Sequence, residues 1–255
     1  GGAAIANAGA VNLSVSGAEL SMNASETIGS LRGVSGTTVT LGANALTAGD
    51  ANDWSYAGVI QGTGAVTKAG AGTWTLSGSN SYSGVTTISA GTLKLGASGD
   101  AANTPLGTVG GGTSVTSGAV LDLNGFTLGT AEALTLNGTG ISAGGALTNS
   151  SASAASYSGL VMLGSASSIV ASAGDIDLSN TGTITGATFG LTLGGASNGS
   201  IASIVGTTTG TLSKAGAGTW TLGGVNTYTG TTTVNAGTLK HGGNDALSTG
   251  AVVVN

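Results

Sequence analysis

Few side chains in this sequence could do chemistry, and their spacing narrows what chemistry is open. The only histidine is His241. It stands where an internal repeat, described below, has Leu95, so the position accepts an apolar side chain, and no Ser/His/Asp set can be assembled around it. Asp175 and Asp177 form a D-x-D pair that a strand puts on one face, away from Ile176 and Leu178. That is half of a calcium site at most, because Ca²⁺ takes about six or more oxygens; solvated strand acids are expected. The absence of cysteine removes a thiol nucleophile and a zinc–thiolate cluster. The Gly-Ala-Gly triplets at Gly70–Gly72 and Gly216–Gly218 complete no phosphate loop and lack its strand-to-helix setting. Glycan-cleaving sites need acids and bases clustered on one face, and this chain offers little beyond Arg32 and four lysines in repeats. The expectation is a non-enzyme with no cofactor and no metal. Trp74 and Trp220 remain, as core residues or as an exposed platform for stacking a sugar, and core packing is the expected role.

The elements that must position these residues are announced by a repeat. Lys68–Gly96 reads KAGAGTWTLSGSNSYSGVTTISAGTLKLG, and Lys214–Gly242 reads KAGAGTWTLGGVNTYTGTTTVNAGTLKHG; 21 of 29 positions are identical, without a gap. Self-similarity of this kind marks a stacked supersecondary unit. Composition agrees. Gly contributes 50 of 255 residues and only 6% are charged, against about 25% in an ordinary globular chain. A mean hydropathy of +0.35 argues against simple disorder. Gly, Ser and Thr interrupt every apolar run before it reaches the ~18 residues of a membrane helix. Net charge −5 with five basic residues leaves no phosphate-binding stripe, so no nucleic-acid partner is expected. A chain of this size without cysteine suits the cytosol, and equally suits a protein that crosses an envelope unfolded.

Patterning is strand and turn almost throughout. Period-two alternation appears in Thr37–Leu41, Thr73–Leu76, Val120–Leu123, Ala133–Leu136, Asp175–Leu178 and Gly190–Leu193, each bounded by Gly, Asn, Ser or Asp. The stretch 142–158 is Ser/Ala/Gly-rich and is expected to be a loop or insertion. Scarce aromatics (4%) and abundant small apolar residues suit a narrow tube better than a broad sandwich core. The expected fold is therefore all-β, a single continuous parallel β-solenoid over residues 1–255, with coils of about 20–25 residues, roughly 10–12 coils and a rod of about 50–60 Å.

Within the repeat this geometry assigns roles. Trp74 and Leu76, like Trp220 and Leu222, face inward while the flanking threonines face out. Asn80 and Asn226, in G-x-N-x-Y turns, hydrogen-bond coil backbones. Tyr82 and Tyr228 cover a corner; Gly84 and Gly230 follow in the turn; Gly91 and Gly237 mark the turn into the next coil ahead of Leu93 and Leu239. Gly70, Gly72, Gly216 and Gly218 belong to the same structural set. Lys68, Lys94, Lys214 and Lys240 are expected at strand ends, capping carbonyls or discouraging edge pairing.

The ordered pattern K-a-G-a-G-T-w-T-L-s-G-x-N-x-Y-s/t-G-x-T-T-i/v-x-A-G-T-L, present twice, resembles the passenger-associated transport repeat of bacterial autotransporters. Flanking segments also resemble that family: 26–31, 39–42, 46–49 and 56–64 upstream, and 119–125 downstream. The resemblance implies a right-handed parallel β-helix, an outer-membrane translocator as partner during export, and display on a Gram-negative surface or secretion. It implies a stalk or adhesin passenger, with a host surface or glycan as the partner of an adhesin. The alternative is a tandem-repeat subunit of a self-associating filament or sheath, stacking on itself end to end or laterally. Ala246–Asn255 runs into Gly1–Leu20 in a way that parallels Pro105–Leu123, which predicts one period of a longer repetitive rod. Thr-x-Thr at Thr38/Thr40, Thr73/Thr75, Thr207/Thr209 and Thr219/Thr221 is the signature of an ice-binding face, but the irregular spacing argues against stacking in register.

Overall fold

The computed structural model describes residues 5–128, 130–243, 247 and 249–255. Gly1–Ala4, Ala246 and Ser248, on which the expected continuity of the chain ends partly rests, lie outside the described residues. The chain is an all-β parallel solenoid of about 11 turns with essentially no helix.

Each coil contributes to three faces in turn. Face one runs through Glu26–Ile28, Leu46–Ala48, Val66–Lys68, Thr86–Ile88, Thr113–Val115, Leu134–Gly138 and the start of Val161–Ala171. Face two is longest. It starts at Ala10–Leu13 and passes through Ser30–Gly33, Trp54–Tyr56, Thr73–Leu76, Thr92–Leu95, Val120–Asp122 and Leu147–Thr148. It continues through the end of Val161–Ala171, Leu191–Gly195, Leu212–Lys214 and Thr232–Val234 to Val252–Val254. Face three comes in two pieces, Glu19–Ser21 to Val59–Gln61 and Thr127–Leu128 to Thr238–His241. All these ladders are parallel. Alternation drives the fold: in Thr73–Leu76 the pattern is half-buried, buried, half-buried, buried, so every second side chain enters the tube.

One expectation is corrected here. The stretch 142–158 is not all loop: Leu147–Thr148 joins face two and Ala155–Tyr157 joins face three. Its Ser/Ala-rich composition hid them because in these two strands only Leu147, Ala155 and Tyr157 carry the inward apolar positions. The two copies of the repeat take different places in the stack. From Trp74, six rungs of face two lead through Leu93, Leu121, Leu147, Ile169 and Leu193 to Lys214. Trp220 follows one strand later, on face three. The second copy is therefore turned by one face relative to the first, instead of stacking like on like. The six rungs use the 140 residues from Trp74 to Lys214, and Trp220 lies six residues further on, which carries it onto the next face.

Candidate interaction surface

The repeat residues form a polar scaffold turned inward onto the backbone. Trp74 and Trp220 are buried, their indole Nε1–H groups donating to the carbonyls of Leu31 and Gly194, each at 3.0 Å. Neither is a sugar platform. Leu76, Leu93 and Leu222 are fully buried, while Leu239 is half-buried. Tyr82 and Tyr228 do more than cover a corner: both lie in the core, with hydroxyls 2.6 Å from Thr86 and Thr232. Burial pushes the Tyr82 hydroxyl well above its ordinary pKa.

Asn80 occupies a coil where face three has no ladder strand. Its Oδ1 accepts the Ile60 N–H from the coil below (2.8 Å) and its Nδ2 donates to the Pro105 carbonyl from the coil above (2.7 Å). The amide thus replaces a missing peptide rung, since buried backbone groups must be paired. Asn226 does the same for the Val205 N–H at 2.7 Å.

The four lysines are not equivalent. Lys68 and Lys214 point into the tube and hold turn carbonyls: Ala69, Gly70 and Ala90 at 2.5–3.1 Å, and Ala215, Gly216 and Ala236 at 2.7–3.1 Å. Carbonyl capping describes these two; edge protection does not, because their strands lie inside ladders. Burial lowers the Lys68 pKa to about 8 against the opposing pull of Asp50 and Asp53, and lowers that of Lys214 as well. Lys94 faces outward and lies 3.5 Å from Asp122; Lys240 is exposed. Gly91 and Gly237 take φ of +65° and +67°, the left-handed turn that favours glycine. A Cβ on Gly72 or Gly218 would lie 2.0 Å from the Asn52 carbonyl oxygen or 1.8 Å from that of Ser197, so coils touch there. Gly70 and Gly216 supply the carbonyls held by the lysines, and Gly84 and Gly230 each sit against the coil below.

The sparse chemistry seen in the sequence stays dispersed. His241 is exposed, with Nδ1 3.2 Å from the Gly243 carbonyl. Asp175 and Asp177 are exposed and accept hydrogen bonds from the Asn198 N–H and the Ser200 hydroxyl. Among the described residues no group of three or more His, Cys, Asp or Glu gathers as a metal site would require. The Thr-x-Thr pairs fall on different faces: Thr38/Thr40 and Thr219/Thr221 on face three, Thr73/Thr75 on face two. Hydroxyl side chains do run in register on face one, from Thr27 through Thr47, Thr67, Thr87 and Ser114 to Thr135, and on face two from Ser168 through Thr192 and Ser213 to Thr233.

Two features escaped sequence reasoning. Glu132 is fully buried, with Thr113 Oγ1 donating to its Oε1 at 2.6 Å. Trp54, the third tryptophan, is only half-buried and carries Arg32 over its ring. A lone arginine in so uncharged a chain was the available signal for the second; nothing local marks the first.

The fold and these contacts define a class: a parallel β-solenoid whose repeated polar residues serve its own backbone. The comparisons agree. The Passenger-associated-transport-repeat family matches residues 66–95 and 212–240. The chain is also similar to the adhesin BmaC autotransporter of Brucella suis biovar 1 (strain 1330), 32% identical over 210 residues, which is 80% of this chain and 5% of that protein. No solved structure matches significantly. The chain belongs to the autotransporter passenger domains that carry passenger-associated transport repeats, and it spans a small fraction of its curated relative's length.

Proposed function

We propose that this chain is a non-catalytic stretch of surface rod, stalk or adhesive passenger, displayed outside a Gram-negative cell. The observation that carries this reading is the unbroken face-two ladder from Ala10–Leu13 to Val252–Val254. Such a ladder gives length and a laterally exposed surface, with the repeat residues committed to holding coils together. At ~4.8 Å per rung, about 11 turns make a rod of roughly 50 Å. The relative's printed name, an adhesin, supports a binding role. Export through an outer-membrane translocator fits the family and the lack of cysteine.

The test is saturable binding of the purified chain to host cells, matrix proteins and immobilised glycans, alongside sedimentation analysis. Binding with a monomeric rod is the expected result. Concentration-dependent rod-to-rod association without any such binding would reject the adhesive reading. It would support the filament alternative.

A further inference from the structure

We propose that the corner formed by Arg32, Asp53, Trp54, Ser55 and Thr75 is a binding site for a neutral hexose unit of a glycan. The proposal deepens the adhesive reading and rests on it. Trp54 and Tyr56 have the same strand parity, but Tyr56 is fully buried while Trp54 stays at the corner, half-buried. Its Nε1–H donates to Asp50 Oδ1 at 2.9 Å, which fixes the ring in place. The Arg32 guanidinium lies over that ring, Cζ 4.8 Å from the centroid. Stacking of this kind holds a guanidinium flat while leaving its N–H groups free to donate.

The polar groups lining this groove of about 330 Å³ have hydrogen-bonding capacity left over. The groove is shallow and largely open to solvent, so it can seat one sugar unit of a longer glycan. The Arg32 side chain forms no hydrogen bond or ion pair among the described residues, and its Nε is buried without a partner. Asp53 accepts the Thr73 N–H with Oδ1 at 2.7 Å, and its other oxygen takes no hydrogen bond from the described residues. The Ser55 and Thr75 side chains, in register on neighbouring strands of face two, are likewise uncommitted there. The groove therefore offers donors only from Arg32, acceptors only from Asp53, and two hydroxyls that do both. Pyranose hydroxyls also do both, and the half-buried indole is apolar surface of the kind a pyranose C–H face suits.

Charge selects against an acidic sugar. Asp50 and Asp53 offset Arg32 and the buried Lys68, so the corner has no positive field, and the whole chain carries −5.

The experiment applies the 255-residue chain to immobilised oligosaccharides ending in glucose, galactose or mannose, and to sialylated and glucuronate-bearing counterparts at equal density. Binding to at least one neutral hexose is expected, with preference over the acidic glycans. Arg32→Gln and Asp53→Asn should each weaken it at least tenfold, with unchanged thermal unfolding, because the Arg32 side chain holds no hydrogen bond among the described residues and an asparagine at 53 keeps an oxygen for the Thr73 N–H. No hexose binding, preference for acidic glycans, or variants that bind like the parent chain would overturn the site. Host-cell attachment that survives Arg32→Gln would overturn this site and leave the surface-rod reading standing. A chain that binds neither cells nor glycans would overturn both.

Discussion

Trp220→Ala is expected to cost about 3–5 kcal/mol of stability, the range for truncating a buried tryptophan. Trp220 is fully buried, and its ring packs on Gly199, where a Cβ would come within 2.5 Å of ring carbons. The glycine below has no side chain with which to fill the hole. The Gly194 carbonyl also loses its indole donor. Trp220→Phe keeps much of the apolar area, so its loss should be clearly smaller. Because each coil contacts mainly its neighbours, the damage should appear first as fraying of the coils around Trp220. Urea unfolding followed by circular dichroism reads the total, and hydrogen exchange reads the location. A loss below about 1 kcal/mol would place the indole outside the core.

That role for Trp220 was legible in the sequence, because period-two alternation in Thr-Trp-Thr-Leu decides which side chains enter the tube. The strands at Thr73–Leu76, Val120–Asp122 and Ile176–Leu178 were legible for the same reason. Asn80 and Asn226 were readable as backbone partners, but not as stand-ins for a missing rung, since which coil lacks a strand depends on neighbours distant in sequence. The turn of the second copy by one face was not readable at all. A constant offset in sequence says nothing about angle unless every coil length between is known, and those lengths vary. The Arg32–Trp54 corner joins residues of successive coils, and no local pattern connects them.

Glu132 predicts a strong pH effect. Its carboxyl is fully buried; Thr113 donates to one oxygen, and the other oxygen has no partner. Burial outweighs the Thr113 hydrogen bond and raises its pKa from 4.5 to about 7. The folded state therefore holds this proton more tightly than the unfolded chain does. The resulting stabilisation is fully present below about pH 4.5 and is lost as pH rises through about 7. Each pH unit between the unfolded and folded pKa is worth about 1.4 kcal/mol, so the change is on the order of 3 kcal/mol. Glu132→Gln should abolish this slope and make the variant more stable than the parent chain at pH 8, with little difference at pH 4. Urea midpoints across that pH range measure it. A parent chain whose Glu132-dependent stability rose with pH would show a paired, ionised carboxylate instead.

The central claim is a continuous three-faced solenoid in which the second repeat is turned by one face. Pulsed EPR between spin labels on outward positions tests it directly, using Thr75 paired with Ser213 and Thr75 paired with Thr221. Six rungs of face two separate the strand of Thr75 from that of Ser213, so their backbones should lie about 29 Å apart. Thr221, the sequence equivalent of Thr75, sits on face three and should give the longer distance. A shorter distance to Thr221 than to Ser213 would put the two copies on one face and contradict the account.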